Sequence, residues 1–107
     1  MAIYMIQASY GAPAVAAMVK NPQDRAAAIR PMIERMGGKL QDLWLCFGEY
    51  DLVVIAEMPD NVTAAAIAMA IGSSGAMRAY RTTPLLTTAE AKKAMKKAGG
   101  VGYQPPQ

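Results

Sequence analysis

Three side chains that can exchange a proton or hold a polar ligand stand in a row at Glu49, Tyr50 and Asp51, directly after Phe47-Gly48. A carboxylate in this position can act as a general base, or bind a cationic or hydroxylated ligand, if the three border a pocket. The same residues also read as turn chemistry. Gly48 supplies backbone angles other residues resist, Asp51 can bond nearby amides, and Tyr50 can pack its ring while its hydroxyl stays wet. Turn chemistry accounts for every residue except Glu49. A second group of polar residues is embedded in apolar, strand-like stretches: Gln7 and Ser9 early in the chain, Glu57 in the middle, Arg78 and Tyr80 later. Such residues either line a cavity or sit at strand ends making ordinary hydrogen bonds. Tyr4 and Tyr10 read equally as cavity-lining residues or as core aromatics with wet hydroxyls.

Much chemistry is excluded at once, because the chain of 107 residues contains no histidine. A Ser/His/Asp triad, a Cys/His pair, a His-based metal site and a His-held haem all fall away. The single cysteine, Cys46, has no partner for an internal disulfide and no evident activating base, so it reads as a buried small hydrophobe in a reducing compartment. No metal site and no cofactor are implied. Net charge is +3, yet four of the eleven basic residues are Lys92, Lys93, Lys96 and Lys97. These form one solvated side of a last helix, opposite Ala91, Ala94, Met95 and Ala98. The chain shows no basic leader and no apolar run near the roughly 20 residues of a membrane helix. A soluble, cytoplasmic protein without a membrane partner is expected.

The elements that must position these residues follow from local signals. Ala2 to Tyr10 is a first strand, broken by Gly11-Ala12-Pro13. A short Ala-rich helical stretch runs to Lys20. Asn21 is then expected to cap a main helix with Pro22 at its first position. Ala26, Ile29, Ile33 and Met36 give that helix a buried stripe, Pro31 is expected to kink it, and Gly37-Gly38 ends it. Lys39 to Phe47, alternating Leu40, Asp42, Trp44 and Cys46 against Gln41, Leu43, Leu45 and Phe47, pairs as a hairpin with Leu52 to Ala56. Asp60 or Asn61 caps a second helix to about Ile71, with Val62, Ala66, Met69 and Ala70 as its apolar side, and Gly72-Ser73-Ser74-Gly75 stops it. Ala76 to Thr83 is a fourth strand, stopped by Pro84. Thr87 and Glu90 have capping-box spacing and open the last helix, which runs to Ala98.

The order strand, helix, strand, strand, helix, strand is the split βαβ pattern of an α+β, ferredoxin-like antiparallel sheet with two covering helices, here with an extra C-terminal helix. Residues 1–98 form this domain, and 99–107 are expected to be a flexible tail. Two helices cover one sheet face, while Leu52 to Ala56 is apolar at both parities, as for a strand buried on both sides. A bare apolar face predicts self-association into a homodimer or larger ring, with a cavity between subunits. RNA-recognition domains share this strand order, but their interleaved basic and aromatic strand motif is missing, so nucleic acid is not an expected partner.

The segment Phe47-Gly48-Glu49-Tyr50-Asp51-Leu52-Val53-Val54-Ile55-Ala56-Glu57-Met58-Pro59 resembles the signature of the GYD-domain family, which is related in fold to the dimeric α+β barrel proteins. Tyr4 to Tyr10, Gly37-Gly38-Lys39-Leu40 and Arg81-Thr82-Thr83-Pro84-Leu85-Leu86-Thr87 agree with it. The shorter Gly-x-Tyr-Asp element is also similar to the small-ligand-binding domains of Lrp-like regulators. The resemblance implies fold and oligomerisation rather than a reaction. The leading expectation is an oligomeric domain that binds a small organic ligand or a protein partner at a subunit interface. The alternatives are a cofactor-independent monooxygenase or isomerase using Tyr80, Glu57 or Glu49, and a scaffold or filament subunit joined through the lysine helix and tail.

Overall fold

The computed structural model describes residues 1–107 as eight elements: β1 (Ala2–Tyr10), α1 (Ala12–Lys20), α2 (Arg25–Arg35), β2 (Lys39–Leu45), β3 (Leu52–Met58), α3 (Asn61–Ser73), β4 (Met77–Leu85) and α4 (Thr88–Ala98). The strands form one antiparallel sheet in the order β2-β3-β1-β4. This is the ferredoxin-like arrangement, with the two central strands supplied by β1 and β3. None of the helices is long and apolar enough to cross a membrane.

The core forms where the period of two in the strands meets the periods of three and four in the helices. Tyr4, Ile6, Ala8 and Tyr10 of β1 alternate onto the same side as Leu52, Val54, Ala56 and Met58 of β3, and all eight are buried. Onto that side pack Ala26, Ile29, Met32 and Ile33 of α2 and Ala64, Ile67 and Ile71 of α3. The Tyr4 hydroxyl donates to Asn61 Oδ1 at 2.6 Å and so ties β1 to the start of α3. It is bonded within the protein rather than wet.

Several local expectations are corrected. Asp24, not Asn21, caps α2, its Oδ1 accepting from the amides of Ala26 and Ala27 at 2.9 and 3.3 Å. Asn21 is still occupied closing α1, where its amide bonds to the Ala17 carbonyl, so the chain turns three residues later. Pro31 does not end α2, as expected, because the Ala27 carbonyl that loses its amide partner belongs to an exposed residue that water can serve. Its inner stripe ends with Met32 and Ile33, and Met36 is exposed. In α3 the buried residues are Ala64 and Ile67, while Val62 and Met69 point to solvent at 78% and 74% exposure. A helix this apolar all round has no marked face of its own, so the sheet selects one. β4 continues through Pro84, which an edge strand tolerates because its outer amides need no partner.

Two bulges reset which side each edge strand shows. In β2 the register shifts between Leu40 and Asp42, leaving Gln41 as the extra residue. Leu40 therefore shares the helix side with Leu43 and Leu45, while Lys39, Asp42 and Trp44 face away. In β4 the shift falls opposite Ser9 and Tyr10, with Arg78 as the extra residue.

α4 departs from the body. Its capping box is formed in full, Glu90 Oε1 accepting from the Thr87 amide at 2.9 Å and Thr87 Oγ1 from the Glu90 amide at 3.0 Å. The Thr87 amide, with the Thr87 hydroxyl nearby, holds the Glu90 carboxyl below its usual range. No residue of α4 is buried. The radius of gyration is 17.0 Å, against about 13 Å for a compact chain of this length, as a protruding helix requires.

Gly37 and Gly38 illustrate two separate demands. Gly37 adopts φ +84°, the left-handed conformation that ends a helix, whereas at Gly38 a methyl would lie 2.5 Å from the Glu57 carbonyl oxygen and 3.0 Å from Ile33 Cγ2. Gly37→Ala should cost about 1–2 kcal/mol from backbone strain. Gly38→Ala should cost at least as much, about 1–3 kcal/mol, by forcing α2 from β3. Urea denaturation of both variants checks the order.

Candidate functional site

The face of the sheet turned away from α2 and α3 carries no helix. Antiparallel register aligns its side chains in three rows: Trp44, Val53, Gln7 and Arg81; Asp42, Ile55, Met5 and Thr83; Lys39, Glu57, Ile3 and Leu85. Ile3, Met5, Val53, Ile55 and Leu85 are each half-buried by their neighbours alone, and Trp44 is 67% exposed. Gln7 and Arg81 sit side by side in the first row, so an amide and a guanidinium project from an otherwise apolar patch. Lys39 and Glu57 are direct cross-strand neighbours at its far end.

At one end of this sheet the connection between β2 and β3 folds back onto β1. The Asp51 amide donates to the Ala8 carbonyl at 2.9 Å, Asp51 Oδ2 accepts from the Tyr10 amide at 3.0 Å, and Ser9 Oγ donates to the Glu49 carbonyl at 3.0 Å. The Cys46 amide donates to the Asp51 carbonyl at 2.8 Å, and Cys46 Sγ lies 3.0 Å from the Tyr50 carbonyl. Cys46 is exposed rather than buried as expected, because β2 ends at Leu45 and leaves it in the connecting loop. Asp51 thus clamps the loop to the end of β1 as turn chemistry predicts. Gly48 does not have a left-handed φ, so its expected special backbone angle is absent; a side chain there would meet open space. Phe47 is fully exposed, and the Glu49 side chain points to solvent.

A model of the GYD domain matches residues 4–95. The chain belongs to the GYD domain family. No curated protein matches it. Among solved structures, this GYD domain is similar to one described as the crystal structure of MtbAldR, with a TM-score of 0.57 at 15% identity. The match covers 80% of this chain and 53% of that one, so the GYD domain spans about half the length of MtbAldR. At that identity the likeness is one of fold.

The seven residues singled out in the sequence of this GYD domain do not converge. Gln7 and Glu57 lie on the bare face, in different rows. Ser9 is 1% exposed and engaged with the loop, while Glu49 and Tyr50 belong to that loop. Arg78 is the exposed bulge residue of β4. Tyr80 pairs with Ala8 and therefore turns to the helix side, away from any space between sheets. There it lines a small apolar cavity of about 20 Å³ with Ile6, Ile33, Leu52, Val54 and Ile67. Burial pushes the Tyr80 phenol above its usual pKa. The Thr82 hydroxyl nearby offsets part of this, although neither hydroxyl meets the geometry of a hydrogen bond. Trp44 and Arg81 are the bare-face residues that sequence reasoning passed over. The alternation Arg81, Thr83, Leu85 was the signal, masked by the bulge at Arg78.

Two outcomes follow from this geometry. Asp51→Ala should lower stability by about 1.5–3 kcal/mol, since it removes a charged acceptor from the Tyr10 amide, and Glu49→Gln should change it by less than about 0.5 kcal/mol. Chemical denaturation measures both. Tyr80 is neutral in both states well below pH 10.0, its ordinary value. Above that pH the unfolded chain loses this proton first, so folded stability falls as pH rises toward the raised folded pKa. Tyr80→Phe should abolish that part of the alkaline loss, read as a flatter profile of Tm against pH.

Proposed function

We propose that this GYD domain is a cytoplasmic, self-associating domain that pairs through the bare face of its sheet and encloses a small organic ligand between subunits. The observation that carries the reading is the apolar patch of Ile3, Met5, Val53, Ile55, Leu85 and Trp44 on a sheet face that no helix covers. Finishing the burial of such side chains is worth up to about 1.5–3 kcal/mol each, which favours association. Gln7, Arg81 and Glu57 are the polar groups that would orient a ligand within the patch. The exposed free thiol of Cys46 suits a reducing interior. On this reading the folded unit is residues 1–98, and 99–107 form a flexible tail.

Binding is favoured over cofactor-independent oxygenation or isomerisation by the placement of the acid–base candidates. Tyr80 and Glu57 lie on opposite faces of the sheet, and Glu49 is in the exposed loop. One substrate could not meet all three in a single pocket. The protruding α4, with Met95 71% exposed and Leu86 before the helix 63% exposed, favours a second reading as a scaffold subunit joined through α4.

Native mass spectrometry of the protein at micromolar concentration tests the proposal. A dimer or larger closed assembly is expected, carrying a mass excess if the ligand is retained. Trp44→Asp should give a monomer with unchanged circular dichroism, and should lose any such excess. A monomeric wild-type protein overturns the reading, and filaments in electron micrographs would replace it with the scaffold one.

A further inference from the structure

Tyr10 ends β1 on the helix side and is only 7% exposed, yet its buried hydroxyl has no hydrogen-bond partner. The same is true of Nε in Arg25, the first residue of α2. These two residues line the same two hollows. One, of about 370 Å³, runs between α2, α3 and the start of β4, with Ile29, Met32, Ile71 and Met77 as apolar walls and Arg35 as a second cation. The other, of about 200 Å³, lies against α1 at Ala14 and Met18. Tyr10, Arg25 and Ala76 belong to both, so the hollows meet at the unpartnered pair.

Leaving a buried hydroxyl or N–H unpaired is costly, and in native proteins such groups mark places where something further completes the bonding. No carboxylate side chain lines either hollow. Two guanidinium groups without an acid call for an anion, and the planar fork of arginine matches a carboxylate best. The walls call for an apolar body behind that anion. The larger hollow falls within the roughly 300–1,000 Å³ of ordinary ligand pockets. Gln23 Oε1 already accepts from one terminal nitrogen of Arg25 at 2.7 Å, while the buried Nε has no acceptor. None of the residues of α1 is buried, so this helix can shift to admit a ligand at small cost.

We propose that the junction of Tyr10 and Arg25 is a binding site for a small organic carboxylate, with its head on the Tyr10 hydroxyl and Arg25 and its aliphatic or aryl body between α2 and α3. The site lies within one chain and is separate from the bare sheet face.

Titration of the full chain, labelled at its methionine methyls, with sodium octanoate tests this by NMR. The resonances of Met18, Met32 and Met77 should move and saturate, while those of Met5 on the bare face and Met95 on α4 stay in place. The neutral probe octanamide should bind at least tenfold more weakly. Arg25→Gln should weaken octanoate binding at least tenfold, and Tyr10→Phe, which keeps the ring in the core, at least threefold. The Trp44→Asp variant should bind octanoate as the wild type does. Shifts confined to Met5 or Met95, equal affinity for octanamide, or affinity unchanged in Arg25→Gln or Tyr10→Phe would each overturn the proposal. Loss of binding in Trp44→Asp would move the site to the subunit interface and overturn it equally.

Discussion

Two helices of 11 and 13 residues can cover only one side of a four-stranded sheet, and most of this molecule follows from that constraint. The covered side takes the aromatic and aliphatic residues of even number in β1 and β3, together with the inner stripes of α2 and α3. The other side keeps an apolar character it cannot satisfy alone. β3 shows the two requirements in one segment: its buried residues alternate with half-buried ones along its whole length, and the alternate positions Val53 and Ile55 are as apolar as the core positions Leu52 and Val54. A strand needed only as a floor for helices would carry polar residues there.

The loop of the family signature serves this arrangement mechanically. Asp51 spans the end of the β3–β1 ladder, accepting from the amide of Tyr10 and donating to the carbonyl of Ala8, so the last turn of β1 is held by a side chain where the strand pairing runs out. That bond fixes the backbone from which the Tyr10 ring enters the helix layer. The part of the signature that resembles catalytic chemistry, the Glu49 side chain, is exposed, and only its backbone carbonyl is held, by Ser9.

Strand order, the central pair and the helix stops were legible in the sequence because each rests on a local signal: β-branched runs, Gly37 in the left-handed region, the Thr87–Glu90 box. The faces of α3 and β2 were not legible for opposite reasons. In α3 nearly every residue is apolar, so only the spacing of Ala64, Ile67 and Ile71 separates inside from outside. In β2 the alternation is clear, but one unpaired residue, Gln41, inverts its meaning. The candidate site suffered similarly. Tyr80 looked like a companion of Arg78 by parity, whereas Arg78 is out of register and Tyr80 belongs to the core side. The unpartnered Tyr10 hydroxyl depends on three elements meeting in space, and no spacing along the chain announces it.

The interruptions in the two outer strands have a consequence for how copies of the domain can meet. An open sheet edge is a template on which further strands can be laid, chain after chain, and the product is a fibre. Here β2 is broken by its extra residue at Gln41, and β4 by Arg78 at one end and by Pro84, which has no amide hydrogen, at the other. Neither margin offers a long uninterrupted run of donors and acceptors. Growth by edge-to-edge templating is thereby disfavoured, and the open face of the sheet is the one broad surface whose contacts need no free strand edge.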